Sequence, residues 1–504
     1  MGDPVIEDVD LLVVGGGKAG KSLAMDRAKK GLKVAMVERR FVGGTCINVA
    51  CIPTKSLVAS ARRLQQARSN EHFGVVGTQD ARVDLECLRA HKEGVVSAMV
   101  AAHEKMFAAP GLDFIRGEAR FIGEKTVEVA LDSGGARRLR GDRVLINLGT
   151  RPARPQIPGL WESGAMTSED ILRLESLPAS LAIVGASYVG VEFASMMASF
   201  GVTVTLIASG DHVLPREDAD IAAEIEAGLA EQGVNIIHGA RVVAASRGAS
   251  NPDSLRADSS ISAETSSSAR IEPGDDKPGN GEEGAVHEQA VHLSLSDGSV
   301  ITADAVLAAL GRIPNTDGVG LSEAGVSLTD AGFIAVDDHL RTSAQGVWAA
   351  GDAAGTPMFT HASWSDFRII RQQYDGVPLS DPTTSKAGRV IPSVVFATPE
   401  LGRIGMTEDE AKAEGRDVLT ASMSVSAVPR AKTMRVTRGI WKAVVDAHTH
   451  QILGAAIQGP EAGEVIAIIQ VAMAQKMRYE DLRFLPIAHP TMAEGLQILF
   501  DQLP

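Results

Sequence analysis

The sequence predicts an α/β protein, and three observations predict it. A strand, a glycine turn, a helix and a second strand open the chain, with the turn at Gly15, Gly17 and Gly20. The same unit returns near residue 181, with its turn at Gly185, Ser187 and Gly190. From about residue 386 the pattern changes to alternating strands and amphipathic helices. Two Rossmann-like dinucleotide-binding domains and a C-terminal α+β domain fit the 504 residues, at ~150 residues per domain.

In the first unit LLVVG is an apolar run, KAGKSLAMDRAKKG is helical and KVAMVE is a second apolar run. The stretch DLLVVGGGKAGKSLA fits two phosphate-binding signatures. G-x-G-x-x-G uses Gly15, Gly17 and Gly20; the nucleotide-triphosphate P-loop G-x-x-x-x-G-K-S uses Gly15, Gly20, Lys21 and Ser22. Both aim backbone N–H groups at a phosphate from a helix start. Glu38 closes the second strand, where an acid can accept hydrogen bonds from an adenosine ribose. A P-loop has no need of that acid; it wants a Mg²⁺-holding Asp after an apolar strand, and FIAVDD (333–338) is the only candidate. Glu38 and the second unit favour the dinucleotide reading, which leaves Lys21 and Ser22 as early residues of the first helix.

The second unit is LAIVGASYVGVEFASMMASFGVTVTLIA. Two such units suggest two dinucleotides, a flavin and a nicotinamide. NAD enzymes often place an acid after the second strand and NADP enzymes an arginine. Here Ala208 and Ser209 follow it. Without the acid a 2′-phosphate meets no repulsion, and Ser209 can donate to it; the reading leans to NADPH over NADH. Residues 247–287 are rich in Ser, Asp, Glu, Gly and Pro and read as a disordered insertion between two strands of this unit. VLAALGRIPNT and GVWAAGDAAG then run as apolar strands into glycine turns, and long helices are expected toward the C-terminus. The expected domains are 1–155 with 317–385, 156–316, and 386–504.

Composition bounds the function. Hydrophobic residues make 44% and charged residues 22%, as in soluble globular proteins. A formal net charge of −14 argues against a nucleic-acid partner. No apolar run approaches the ~20 residues a membrane span needs. The start, MGDPVIEDVD, is acidic, lacks the basic opening of a signal peptide and has Ile6 where myristoylation wants Ser or Thr, so a cytoplasmic protein is expected. Only Cys46, Cys51 and Cys87 occur, too few for a disulfide scaffold. Cys87, in DLECLRAHKEG, reads as a plain buried helix residue. His448 and His450 in DAHTHQ read as a hairpin turn; two histidines without further ligands do not make a zinc site.

Cys46 and Cys51 lie in GGTCINVACIPTK (43–55). The glycines allow close backbone approach to a cofactor. Pro53 and TKSLVASARRL suggest a helix with both thiols in its opening turns, where the N-terminus lowers a thiol pKa. Five residues of ideal helix would point the thiols apart, so a bridge needs an irregular turn near Asn48 and Ala50.

This motif, which begins 28 residues after Gly15 opens the glycine fingerprint, resembles the pyridine nucleotide–disulfide oxidoreductases: glutathione reductase, dihydrolipoamide dehydrogenase and mercuric reductase. Ala50 replaces the family's usual glycine. LPREDADIA, FTHASWSDFRIIR, LGRIGMTEDEA and VPRAKTMRVTRG are similar to the bacterial reactive-chlorine-resistance reductases within that family, which implies reduction of metal ions such as Cu(II) or Hg(II). The resemblance implies an FAD-binding domain, an NAD(P)-binding domain and a dimerisation domain. It makes Cys46–Cys51 a redox disulfide, with Cys51 facing the flavin and Cys46 exchanging with substrate. It pairs Lys55 with Glu192 near the flavin. His489, in AHPTMAEG, becomes the proton shuttle reaching the partner subunit's cysteines, its ring held by Glu494. Residues and resemblance together give the flavin Gly15, Gly17, Gly20, Glu38, Gly44, Thr45, Lys55, Gly149, Thr150, Gly351 and Asp352. The nicotinamide receives Gly185, Ser187, Gly190, Ser209 and Gly311.

The expected protein is a homodimeric enzyme passing electrons from NAD(P)H through FAD and the dithiol to an oxidised metal ion or a small disulfide. Dihydrolipoamide dehydrogenase or a low-molecular-weight thiol disulfide reductase is the alternative, and a non-enzymatic thiol sensor the second. A C-terminal cysteine pair and an N-terminal metal-carrier domain, expected of a dedicated mercuric reductase, are missing from this sequence.

Overall fold

The computed structural model describes residues 5–248 and 290–504. All but the first two residues of the polar insertion expected at 247–287 lie outside them. The first unit runs β1 (Ile6–Val14), α1 (Lys18–Lys29), β2 (Val34–Glu38). Then come α2 (Thr45–Asn48), α3 (Cys51–Arg68), α4 (Leu85–Phe107), β3 (Leu112–Gly123), β4 (Thr126–Leu131), β5 (Ala136–Ile146) and β6 (Thr150–Pro152). The second unit is β7 (Ser180–Val184), α5 (Tyr188–Ser199), β8 (Thr203–Ile207), α6 (Ala219–Glu231) and β9 (Asn235–Ile237). β10 (Val242–Arg247) and β11 (Val291–Leu295) flank the insertion and pair antiparallel, Arg247 opposite Val291. β12 (Val300–Ala303), β13 (Ala305–Ala308), β14 (Arg312–Pro314), β15 (Val347–Ala349) and α7 (Thr360–Tyr374) follow.

β1 is parallel to β2 and to β5, and β5 is parallel to β15. Residues 347–349 therefore return to the sheet that residues 6–14 began, across the whole second unit. The second unit has its own parallel sheet in the order β13-β7-β8-β9. Strands covered on both faces must be apolar throughout. Leu11 to Val14 and Leu181 to Val184 satisfy this, each at most 4% exposed.

The C-terminal residues form β16 (Ser393–Val395), β17 (Leu401–Gly405), α8 (Glu408–Ala413), β18 (Val418–Ser424), α9 (Pro429–Thr433), β19 (Ile440–Asp446), β20 (Ile452–Gln458), α10 (Ala462–Ala474), α11 (Tyr479–Arg483) and α12 (Gly495–Phe500). The sheet is antiparallel, ordered β16-β17-β20-β19-β18, and fully buried Trp441 anchors its core. The long helices expected to the end are not there: after α10 come two helices of five and six residues. Pro486 and Pro490 interrupt that stretch, and proline lacks the N–H a continuing helix needs. His448 and His450 lie in the β19–β20 hairpin, where Asp446 accepts from the backbone N–H groups of His448 and Thr449. FIAVDD forms no strand.

Candidate active site

The two glycine turns have the same construction. Gly15 and Gly185 adopt φ of +103° and +104°. A Cβ on Gly15 would lie 2.3 Å from Asn147 O, and one on Gly185 2.5 Å from Ala309 O. Gly20 and Gly190 press their helices onto the preceding turn: a Cβ would stand 2.1 Å from Gly15 O and 1.9 Å from Gly185 O respectively. Gly17 caps α1 and Ser187 caps α5, neither with a side-chain hydrogen bond to the helix end. Both N-termini thus keep backbone N–H groups for an anion. Glu38 lies beside the first turn and accepts from Gly16 N at 2.8 Å. These cradles fit two dinucleotides. Ser209 is exposed just past β8, and Gly311 makes the turn between β13 and β14.

Asn147 escaped the sequence reading. It is buried, its Oδ1 accepts from Gly20 N at 3.0 Å and its Nδ2 donates to Ala350 O at 2.7 Å. One side chain ties the first glycine turn to the Gly351–Asp352 turn. Nothing but its place beside Gly149 and Thr150 could have signalled it. Thr150 Oγ1 donates to Asp352 Oδ2 at 2.8 Å and accepts from Arg312 Nε at 2.8 Å. Burial pushes the Asp352 carboxyl upward against that hydrogen bond. Asp366, wholly buried on α7, accepts from Gly351 N and from Thr356 and pairs with Arg389.

The cysteine motif is not one helix. α2 ends at Asn48, Val49 (φ −143°, ψ 17°) and Ala50 (φ −141°, ψ −106°) are neither helical nor extended, and α3 starts at Cys51. The irregular turn resets the helix phase and brings the two thiols into hydrogen-bond contact. Gly43 and Gly44 precede it at φ +85° and +84°, and a Cβ on Gly44 would come 3.0 Å from Gly17 Cα. The cysteine loop therefore lies directly on the first glycine turn, with Thr45 opening α2.

One negative charge is shared unequally. Cys46 donates to Cys51, the Thr360 hydroxyl stands 3.7 Å from Cys51 Sγ, and the Lys55 ammonium adds its field. The Cys51 thiol falls to about 6. Cys46, as donor to that thiolate and buried, is pushed up. Lys55 Nζ donates to Glu192 Oε2 at 2.6 Å, and Glu192 Oε1 accepts from Phe396 N at 3.0 Å. His489 Nδ1 is 2.8 Å from Glu494 Oε2, and the His489 side chain is 68% exposed.

One sequence expectation fails here, and one residue carries more than its expected place in α1. Cys87 is exposed, because α4 buries the face of Leu88 and Lys92 and Cys87 sits beside it. Lys21 is no ordinary early helix residue. It is 5% exposed, and its Nζ donates to Gly43 O at 2.8 Å and to His103 Nε2 at 2.9 Å. Its ammonium is committed beneath the cysteine loop rather than offered to a triphosphate.

Comparison with known proteins agrees with this geometry. Residues 9–271 and 277–366 match the pyridine nucleotide-disulphide oxidoreductase family, and residues 391–499 match its dimerisation domain. The chain is 34% identical to the "Probable pyridine nucleotide-disulfide oxidoreductase RclA" of Escherichia coli, over 97% of this chain and 98% of that one. It is 33% identical to a mercuric reductase of Staphylococcus aureus, over 97% and 82%. A solved structure, the Cu(II) complex of the HOCl-induced flavoprotein disulfide reductase RclA from Escherichia coli, superposes with a TM-score of 0.83 at 34% identity, covering 99% of this chain and all of that one. Among the described residues no helix is long and apolar enough to cross a membrane. With two dinucleotide cradles, a contacting thiol pair and a family match along most of its length, the chain belongs to the pyridine nucleotide-disulphide oxidoreductases and is an oxidoreductase that uses FAD and NAD(P)H.

Proposed function

We propose that this enzyme carries electrons from NAD(P)H through FAD to the Cys46–Cys51 pair and from there to an oxidised metal ion of the Cu(II) or Hg(II) kind. The observation that carries it is the contact between two thiols of opposite character, Cys51 depressed and Cys46 raised, on a loop packed against the first glycine turn. Residues 1–155 and 317–385 bind FAD, 156–316 bind the nicotinamide and 386–504 dimerise. When bound, FAD supplies hydride acceptance from NAD(P)H and passes two electrons to the disulfide.

The chain's residues manage charge and protons. Lys55, fixed by Glu192, holds positive charge beside Cys51 and favours its thiolate. Cys46 is the protonated member of the resting pair, and gives up its proton as it meets the acceptor. Two Cu(II) ions take one electron each, or one Hg(II) takes two, as the Cys51 thiolate and the Cys46 thiol close to the disulfide and the one proton on Cys46 is released. The relatives named RclA and mercuric reductase support the metal acceptor.

A small disulfide is the second reading, favoured by His489 and Glu494. There the Cys46 thiolate attacks one sulfur and expels the first thiolate, Cys51 then attacks Cys46 Sγ of the mixed disulfide and expels the second, and both take protons to leave as thiols. A leaving thiolate takes a proton, and an exposed imidazole oriented by Glu494 from the partner subunit can supply it. A dihydrolipoyl dehydrogenase of Haloarcula marismortui, 32% identical over 98% of this chain, is in keeping with it.

Steady-state assays with NADPH and NADH against Cu(II), Hg(II), glutathione disulfide and lipoamide test the choice. A metal ion is expected to give the largest kcat/KM, with NADPH the better donor. Cys51→Ser is expected to lose at least about 100-fold in acceptor turnover while keeping its flavin. A colourless protein, or full turnover by that variant, would refute the proposal.

A further inference from the structure

Lys21 is the buried charge that the steps above leave unused. It lies one turn into α1, on the helix whose open end faces the first dinucleotide. Nζ reaches Gly43 O, three residues before Cys46, and His103 Nε2 on α4. His103 Nδ1 is 2.7 Å from Met99 O, a carbonyl that can only accept. The proton of neutral His103 therefore sits on Nδ1, and Nε2 accepts from the lysine. The His103 ring also packs on the loop, since a Cβ on Gly43 would lie 3.5 Å from its Cγ. Lys21 is thus clamped from two sides, by a carbonyl of the cysteine loop and by a neutral imidazole. Neither contact neutralises it.

The groups acting on it are few. Lys18 of its own helix and burial push its ammonium down to about 8, and Cys46 of α2 pulls the other way. Burial, helped by the charges of Lys21 and Lys18, holds His103 low, in its neutral form. Each cysteine thus has its own lysine. Lys55 acts on Cys51, and Lys21 acts on Cys46.

We infer that Lys21, anchored by Gly43 and His103, is a positioning residue that supplies the positive charge for Cys46 when that sulfur becomes the thiolate facing the acceptor. The assignment rests on the proposed function, in which Cys46 is the exchanging thiol. While Cys51 holds the negative charge, Cys46 is the proton donor. With Cys51 committed to the flavin side, a charge on Cys46 before it attacks the acceptor has Lys21 as its cation. No bond to Lys21 forms or breaks. The lysine also holds the loop carbonyl, so charge and geometry are delivered by one side chain.

The test compares wild type, Lys21→Met, Lys21→Arg and His103→Ala as reduced holoenzymes. The alkylation rate of Cys46 by iodoacetamide is followed by peptide mass across pH, beside flavin reduction by NADPH. In Lys21→Met the Cys46 rate at pH 7 is expected to fall about tenfold, its profile moving up by about one pH unit. Lys21→Arg is expected to restore the rate to within about twofold, because it returns the charge at the same depth. His103→Ala is expected to fall between the two. A profile in Lys21→Met that overlays wild type overturns the inference. Should Lys21→Met lose its flavin, His103→Ala decides: an unchanged Cys46 rate overturns the inference and a reduced one supports it. Should wild type itself show Cys51 as the alkylated thiol, the functional reading fails, and the two failures are told apart.

Discussion

At the scale of single residues, the site is a problem of distributing charge. Two thiols in contact cannot both ionise readily, and the surroundings choose Cys51 through Cys46, Thr360 and Lys55. The folded Cys51 value is lowered, so its thiolate persists above that value and is lost as pH falls through about 6. The long-wavelength absorbance of the reduced enzyme, which reports a thiolate against the flavin, is expected to fade with that midpoint. Titration from pH 8 to pH 5 checks it; a midpoint near the free-thiol value of ~8.5 would contradict it. Glu192→Gln leaves Lys55 without its anion, and the same titration is expected to shift by less than one unit, because the lysine charge remains. The cysteines, Lys55, Glu192, His489 and Glu494 were legible because they carry the family's spacing. Asn147 and His103 were not, for their importance comes from partners far away in sequence, Gly20 and Ala350 for one and Lys21 for the other. Lys21 was rightly placed early in α1, but its clamp was not legible, because only burial distinguishes a clamped ammonium from a solvated one.

At the scale of elements, the repeated strand–turn–helix unit was readable because its constraint is local. A glycine at φ above +100° and a second glycine facing its carbonyl are required by the turn itself, whatever surrounds it. This predicts two separable defects. Gly20→Ala forces a methyl to 2.1 Å from Gly15 O and is expected to yield protein with little bound FAD, measured by absorbance after gel filtration. Gly190→Ala forces one to 1.9 Å from Gly185 O and is expected to keep its yellow colour yet lose most NAD(P)H reduction. The cysteine helix was half legible. Its C-terminal part follows from residues 53–64, and the break at Val49 and Ala50 falls where a Cys46–Cys51 bridge called for an irregular turn, but the packing of Gly44 on Gly17 is a contact no local pattern encodes. The C-terminal helices were overcalled, since apolar content there reflects burial around Trp441 and Leu496 rather than helical length.

At the scale of the whole molecule, the second unit and the C-terminal domain are joined by an ionic hub around the buried Lys442 and Asp218. Lys442 of β19 lies 3.1 Å from Asp218, 3.0 Å from Asp220 and 2.8 Å from Glu408. Its charge is held well up by those carboxylates, and Glu408 is held down to about 2. Removing one partner of a buried pair strands the other, at a cost of about 3 kcal/mol. Lys442→Met is therefore expected to lower the first thermal transition by several degrees, while Lys412→Met, an exposed pairing on α8, leaves it in place. The LPREDADIA motif resembled a subgroup signature; in the structure Glu217 meets Arg403, and Asp218 and Asp220 meet Lys442. The return of β15 to the sheet begun by β1 has a last consequence, for synthesis. A ribosome delivers Val347 to Ala349, and the Gly351–Asp352 turn behind them, more than 300 residues after β1 has emerged. The inserted second unit can complete its own sheet while the outer one still waits for its final strand. A nascent chain released just before residue 347 is thus expected to present a finished nicotinamide module on an open, flavinless scaffold.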